Sequence, residues 1–163
     1  MYIESTTGSF FDERKAVDAA AYLLQRAGGE MYYIHLLKLL YLADREALLS
    51  FQRPITFDRF VFMKNGPVLS NVYRIINEDY ERSPVWSSHI TDSEGYRVSL
   101  RQAIDVDDLS LSDAELALLD RVFDRFGSWD RFELCEYTHT LPEWIDPQGS
   151  MIPFSYRHLL ERS

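Results

Sequence analysis

The stretch that most constrains this chain is residues 38–73, KLLYLADREALLSFQRPITFDRFVFMKNGPVLSNVY. Its pattern predicts an amphipathic helix, a turn at Gln52-Arg53-Pro54, a β-rich run over residues 55–63 and a second helix opening directly after Asn65-Gly66-Pro67. The corner chemistry is specific. Gly66 can take backbone angles closed to other residues, and Pro67 presets φ for a first helical turn, where its missing N–H costs nothing. Gly66 and Pro67, with Val68 and Tyr73 on the helix that follows, are therefore expected to be architectural.

The flanks are read outward from that block. Residues 1–11 carry no periodic signal and are expected to form an arm, pinned by Phe10 and Phe11. A first helix is expected from an Asp12 N-cap to about Ala27, stopped by Gly28-Gly29. A second, over residues 32–49, places Tyr33, Leu36, Leu37, Leu40, Ala43 and Ala47 on a face broad enough for the central helix of a domain. His35 and Lys38 then fall on a solvated edge, with Asp44, Arg45 and Glu46 also off the apolar face.

Downstream, Val68, Val72, Ile75 and Ile76 give the third helix its core face to about Asp79, with an exit at Ser83-Pro84. VWSSHI and YRVSL around TDSEG read as a β-hairpin. Ser112 with Glu115 forms a capping-box signature for a further helix to Gly127, with Leu111 and Leu116 as a hydrophobic staple. Ser128 is expected to cap another helix, whose Trp129, Phe132, Cys135 and Leu134 face inward. An irregular Pro-rich segment precedes a last short helix. The expected fold is a mainly α single domain over residues 1–163, about six helices with one small antiparallel β-hairpin.

Length agrees with one domain, and 46% apolar with 26% charged residues is the balance of an ordinary globular protein. No signal-peptide pattern or span-length apolar run is present, and Cys135, alone among 163 residues, agrees with a reducing compartment, so a cytoplasmic protein is expected. The formal charge of −9 disfavours non-specific nucleic-acid binding and favours a basic partner.

The KLLYLAD helix, the D-x-F run at Asp58-Arg59-Phe60 and GPVLSNVY resemble the Panacea antitoxin domain, the SocA-like family also called phage-associated proteins. The segment THTLPEWIDPQGSMIPFSY, with His139, Pro142, Glu143 and Trp144, is similar to that family's closing H-x-x-P-E-W block. The chain carries Phe62 where a small residue is usual in the family, and Asn65 where His is common. The resemblance implies an antitoxin that neutralises a cognate protein toxin by binding it; some relatives act as adaptors that deliver a toxin to a host protease. The alternative is a phage or mobile-element regulatory protein acting through another host protein.

An enzyme is not expected, because H-E-x-x-H, a Gly-rich phosphate loop with Lys and G-x-S-x-G are all missing. His35, Asp44 and His139 are the one metal constellation to weigh, and nothing in their spacing demands it, so neither metal nor cofactor is expected. The third helix could be drawn as the recognition helix of a winged helix, but it ends in Asn77-Glu78-Asp79 with Glu81 beyond, carboxylates that would face phosphates. Partner-binding candidates are the acidic residues Asp105, Asp107, Asp108, Glu78 and Glu81 and the pair His139 and Trp144. The acids would steer a cationic toxin, and the aromatic pair would anchor it.

Overall fold

The computed structural model describes residues 10–78, 83–93 and 95–163. Everything is assembled around α2 (Tyr33–Phe51), a 19-residue helix about 28 Å long. Its residues 35–44 are all buried, so over that stretch it is no amphipathic surface helix but a rod enclosed on every side, while Glu46, Ser50 and Phe51 in its last turns are exposed. α1 (Glu13–Arg26), α5 (Asp113–Phe126), α6 (Arg131–Thr138) and α7 (Tyr156–Arg162) all pack on it. The Ala16, Ala19, Ala20 and Ala21 face of α1 is buried and lets helices approach closely.

Local signals account for several boundaries. Asp12 accepts from the Lys15 N–H at the start of α1, and past its end the Gly29 N–H returns to the Leu24 carbonyl. The left-handed angles there, φ 90° and 108°, suit glycine alone. At α5, Ser112 and Glu115 exchange both bonds of the capping box, 3.1 and 2.9 Å. Glu115 also pairs with Lys15 at 2.6 Å, tying α5 to α1.

Two three-stranded antiparallel sheets replace the single hairpin expected. In the first, β1 (Glu30–Tyr32), β5 (Arg97–Leu100) and β4 (Ile90–Ser93) lie in the order β1-β5-β4. The second has the order β3-β2-β6, from β2 (Phe60–Met63), β3 (Gly66–Leu69) and β6 (Ile152–Phe154). β6 comes from the segment expected to be irregular, and Phe154 lies opposite Phe60. Pro153 is tolerated because β6 is an edge strand.

The Gly66-Pro67 corner is real but does not open a helix. It turns β2 into β3 with Met63 opposite Gly66 and Phe62 opposite Pro67, so Val68 belongs to a strand. The positive φ of this tight turn, 114°, falls on Gly66. Proline's fixed φ suits an edge strand as well as a first helical turn, and strand pairing with β2 decided between them. α3 (Ser70–Asn77) starts after that strand. Four smaller corrections follow. Val85 and Trp86 lie in a one-turn helix, α4 (Pro84–Ser87), with Trp86 wholly buried, and not in a strand. Asp130, not Ser128, caps α6. Phe132 points outward, 65% exposed, because Leu134 and Thr138 take the inner face of α6. Finally, the described residues hold seven α-helices rather than six.

Residues 1–9 of the expected arm lie outside the described residues; Phe10 is exposed and Phe11 packs on the core. No helix among the described residues is long and apolar enough to cross a membrane.

Candidate functional site

The polar residues of the two motif blocks are consumed inside the fold. Lys38 and His35, expected on a solvated edge, are buried at 0% and 8% exposure. Lys38 Nζ donates to the Pro67 carbonyl at 2.9 Å, and burial pulls its pKa down to about 8. His35 Nε2 lies 3.1 Å from the Phe126 carbonyl, and burial lowers its pKa.

Asp44 is wholly enclosed and accepts from the N–H groups of Ile55 (2.8 Å) and Thr56 (3.1 Å) and from the Thr56 hydroxyl. Those bonds fasten the chain after the Gln52 turn to α2. Burial drives the Asp44 pKa up to about 7, with the three hydrogen bonds opposing.

Asp58, from the D-x-F run, caps α3 from outside: it accepts from Asn71 N (2.9 Å), Val72 N (3.0 Å) and Asn71 Nδ2 (2.9 Å). α3 has no cap of its own at Leu69, so the carboxylate satisfies N–H groups its first turn leaves open.

Glu143 closes the second block onto the first. It is fully buried and accepts from Tyr41 Oη (2.7 Å), Arg45 Nε (2.7 Å) and Arg45 Nη2 (3.1 Å), while the backbone carbonyl of Glu143 meets His158 Nε2 at 2.9 Å. Each motif carboxylate thus holds two distant segments together. Gly66 belongs to the same device, since a Cβ there would run into Thr138 Oγ1 and stand 3.0 Å from Lys38 Nζ.

His35, Asp44 and His139 do not meet. The first two are engaged as described, and His139 stacks on Trp144 at 4.5 Å; among the described residues no three His, Cys, Asp or Glu side chains are grouped as metal ligands. Trp144 is half-buried, its ring also edge-on to Phe62 at 5.4 Å. Phe62 in turn stacks face to face on Phe154 at 3.8 Å, so the large side chain at that position is absorbed by the aromatic cluster under β6.

Asp105, Asp107 and Asp108 are exposed around a 3₁₀ turn (Val106–Asp108), where the Asp105 carboxylate accepts from Asp107 N at 3.0 Å. Asp105 and Asp108 border a recess of about 290 Å³ that also holds Arg14 and Arg101, so the face is of mixed charge. Glu78 is exposed just past α3 and borders a different, smaller recess with Tyr73 and Arg74. Glu81 lies outside the described residues. The acids are therefore not gathered into one site.

The feature missed by sequence reading is a groove of about 380 Å³ between the start of α2, the β4–β5 loop and α6. Tyr32, Tyr33, Tyr96 and Phe132 give it aromatic walls, and Arg131 and His139 are polar groups within it. Tyr96 is 75% exposed and Phe132 65%. Its residues come from four separate stretches of chain; the one local hint was an aromatic at a hairpin tip.

A mainly helical domain, knitted by buried carboxylates and carrying two small antiparallel sheets, is the class this fold defines. The chain belongs to the antitoxin SocA-like, Panacea domain family, whose model matches residues 36–145. No curated protein and no solved structure matches it. The matched span runs from near the start of α2's buried stretch to just past Trp144, and so includes Asp44, Asp58 and Glu143 with the side chains and backbone groups their carboxylates hold.

Proposed function

We propose that this chain is an antitoxin that neutralises a cognate protein toxin by binding it directly, without chemistry of its own. The observation that carries the reading is membership of the Panacea family across residues 36–145. The fate of the motif polar groups supports it. Asp44, Asp58 and Glu143 are spent on fastening the fold, which leaves exposed surface to carry function. Asp105, Asp107 and Asp108, exposed in a chain of net charge −9, would speed the approach of a cationic toxin and make it fall with salt.

The test is growth rescue. Cells producing the small protein encoded beside this one should be arrested, co-expression of this chain should restore growth, and the two should co-purify. Reversing Asp105, Asp107 and Asp108 to Lys should weaken rescue while circular dichroism and Tm stay unchanged. A harmless neighbouring product, or arrest that persists beside well-expressed chain, removes the antitoxin reading. Toxin half-life in the same cells separates blocking, which leaves it unchanged, from delivery to a protease, which shortens it.

A further inference from the structure

We propose that the aromatic groove seats an extended acidic-and-apolar peptide segment, with Arg131 pairing its carboxylate and Tyr96 and Phe132 clasping the apolar side chain beside it. That this segment belongs to a toxin rests on the antitoxin reading; the groove and its chemistry do not.

Among the described residues the two most exposed large apolar side chains, Tyr96 and Phe132, border this one groove. Exposed aromatic rings gathered at a concave, Arg-bearing site are the composition of binding hot spots. Tyr33 lies 6.4 Å from Tyr96, ring to ring, and extends the apolar wall inward.

Arg131 supplies the charge selectivity. Its guanidinium is laid over Tyr32 at 3.5 Å and over Phe132 at 4.7 Å, which fixes the orientation of the fork. Arg14, Arg26, Arg45 and Arg97 each pair with a carboxylate, whereas Arg131 has no ion pair among the described residues. Its Nη1 is shielded from solvent with no hydrogen-bond partner, and so is Nε2 of His139 in the same groove. A carboxylate on a ligand matches the planar fork of a guanidinium that has no ion pair of its own. The Tyr32 phenol is already engaged by both arginines: its pKa is lowered, first by the Arg97 hydrogen bond and then by a hydrogen bond from Arg131, which leaves the rest of the fork to a ligand.

Aromatic walls with arginine also suit single-stranded nucleic acid. Glu136 in the wall and a chain charge of −9 oppose phosphates, while a peptide can place one carboxylate at Arg131 and keep the rest of its length neutral. The volume is that of a few side chains, suited to an extended segment rather than a folded element.

The full chain should be panned against a displayed library of random dodecapeptides. Enriched peptides should carry Asp or Glu beside an aromatic residue or Leu. Their affinity should fall about tenfold or more in Arg131→Glu, as expected for loss of a charge-assisted pair, and similarly in the Tyr96→Ala, Phe132→Ala double variant. Glu161→Lys, exposed on α7 and outside the groove, should leave it unchanged. Arg131→Gln serves as the second variant should Arg131→Glu lower the Tm. No enrichment, enrichment of basic peptides, or affinity indifferent to the groove variants overturns the proposal; so does Arg131-dependent binding of an oligothymidylate in place of peptide. Growth rescue is scored separately. Rescue without a groove-dependent peptide removes the groove and spares the antitoxin reading, and a groove-dependent peptide without rescue does the reverse.

Discussion

Arg45 and Glu143, 98 residues apart in the chain, form a two-pronged ion pair at 2.7 and 3.1 Å. The Glu143 side chain is wholly buried and that of Arg45 nearly so, at 13% exposure, and Tyr41 supplies a third donor from the same helix. The pair is the point at which the P-E-W segment is fastened to the KLLYLADR helix.

Removing one partner of such a pair leaves a buried charge uncompensated. Arg45→Ala should destabilise the protein by about 3 kcal/mol or more, because it strands the Glu143 carboxylate. Tyr41→Phe should cost less, about 1–2 kcal/mol, since Arg45 still serves the same carboxylate. Urea denaturation of the two variants and their double would measure both; equal costs would mean that the ion pair is not the dominant fastening.

Asp44 should make stability depend on pH. Its folded pKa, about 7, lies above the ordinary carboxylate value of 3.8, so the folded state holds the proton more tightly. The contribution is fully present below about pH 4 and is lost as pH rises through 7, at up to ~1.4 kcal/mol per pH unit. Asp44→Asn mimics the protonated acid and should remove this slope. The stability of the wild type minus that of the variant, measured from pH 4.5 to 8, should therefore fall steadily; a flat difference would mean that Asp44 stays ionised throughout.

Gly66→Ala should be severe for two separable reasons. The backbone there has φ 114°, and the new methyl would collide with Thr138 Oγ1 and crowd Lys38 Nζ. Together these should cost about 2–4 kcal/mol. Gly95, at φ 75° with nothing within 4 Å of a Cβ, provides the control, since Gly95→Ala meets only the backbone term and should cost about 1 kcal/mol. Similar Tm losses in the two variants would show that the Thr138 and Lys38 contacts give way easily.

Ser112→Ala should destabilise by about 1 kcal/mol through loss of the acceptor for the Glu115 N–H. The other half of the box, Glu115 Oε1 on Ser112 N, together with the Glu115 pairing to Lys15, remains in that variant. Chemical denaturation is the check, and an unchanged midpoint would contradict the cap.

What the sequence determined by itself was local: the Asp12 and Ser112 caps, the Gly28-Gly29 stop, the second strand of the β4–β5 hairpin, though not β4, whose residues 91–93 read as the turn, and the existence of a long apolar helix at the centre. These are set by groups within a few residues of one another, and the chain carries them whatever it packs against. The family resemblance was likewise legible, since it rests on short blocks of residues. Only the tertiary structure decided that Lys38 and Asp44 are buried, because their partners, Pro67 and the Ile55–Thr56 backbone, lie 29 and 11 to 12 residues away and a helical wheel cannot see them. The same holds for Gly66-Pro67: its angles suit both a helix start and a strand, and pairing with β2 chose the strand. The groove was beyond any local reading. Tyr32, Asn65, Tyr96, Arg131 and His139 are dispersed over more than a hundred residues, and they share a surface only after α2, the β4–β5 loop and α6 have packed.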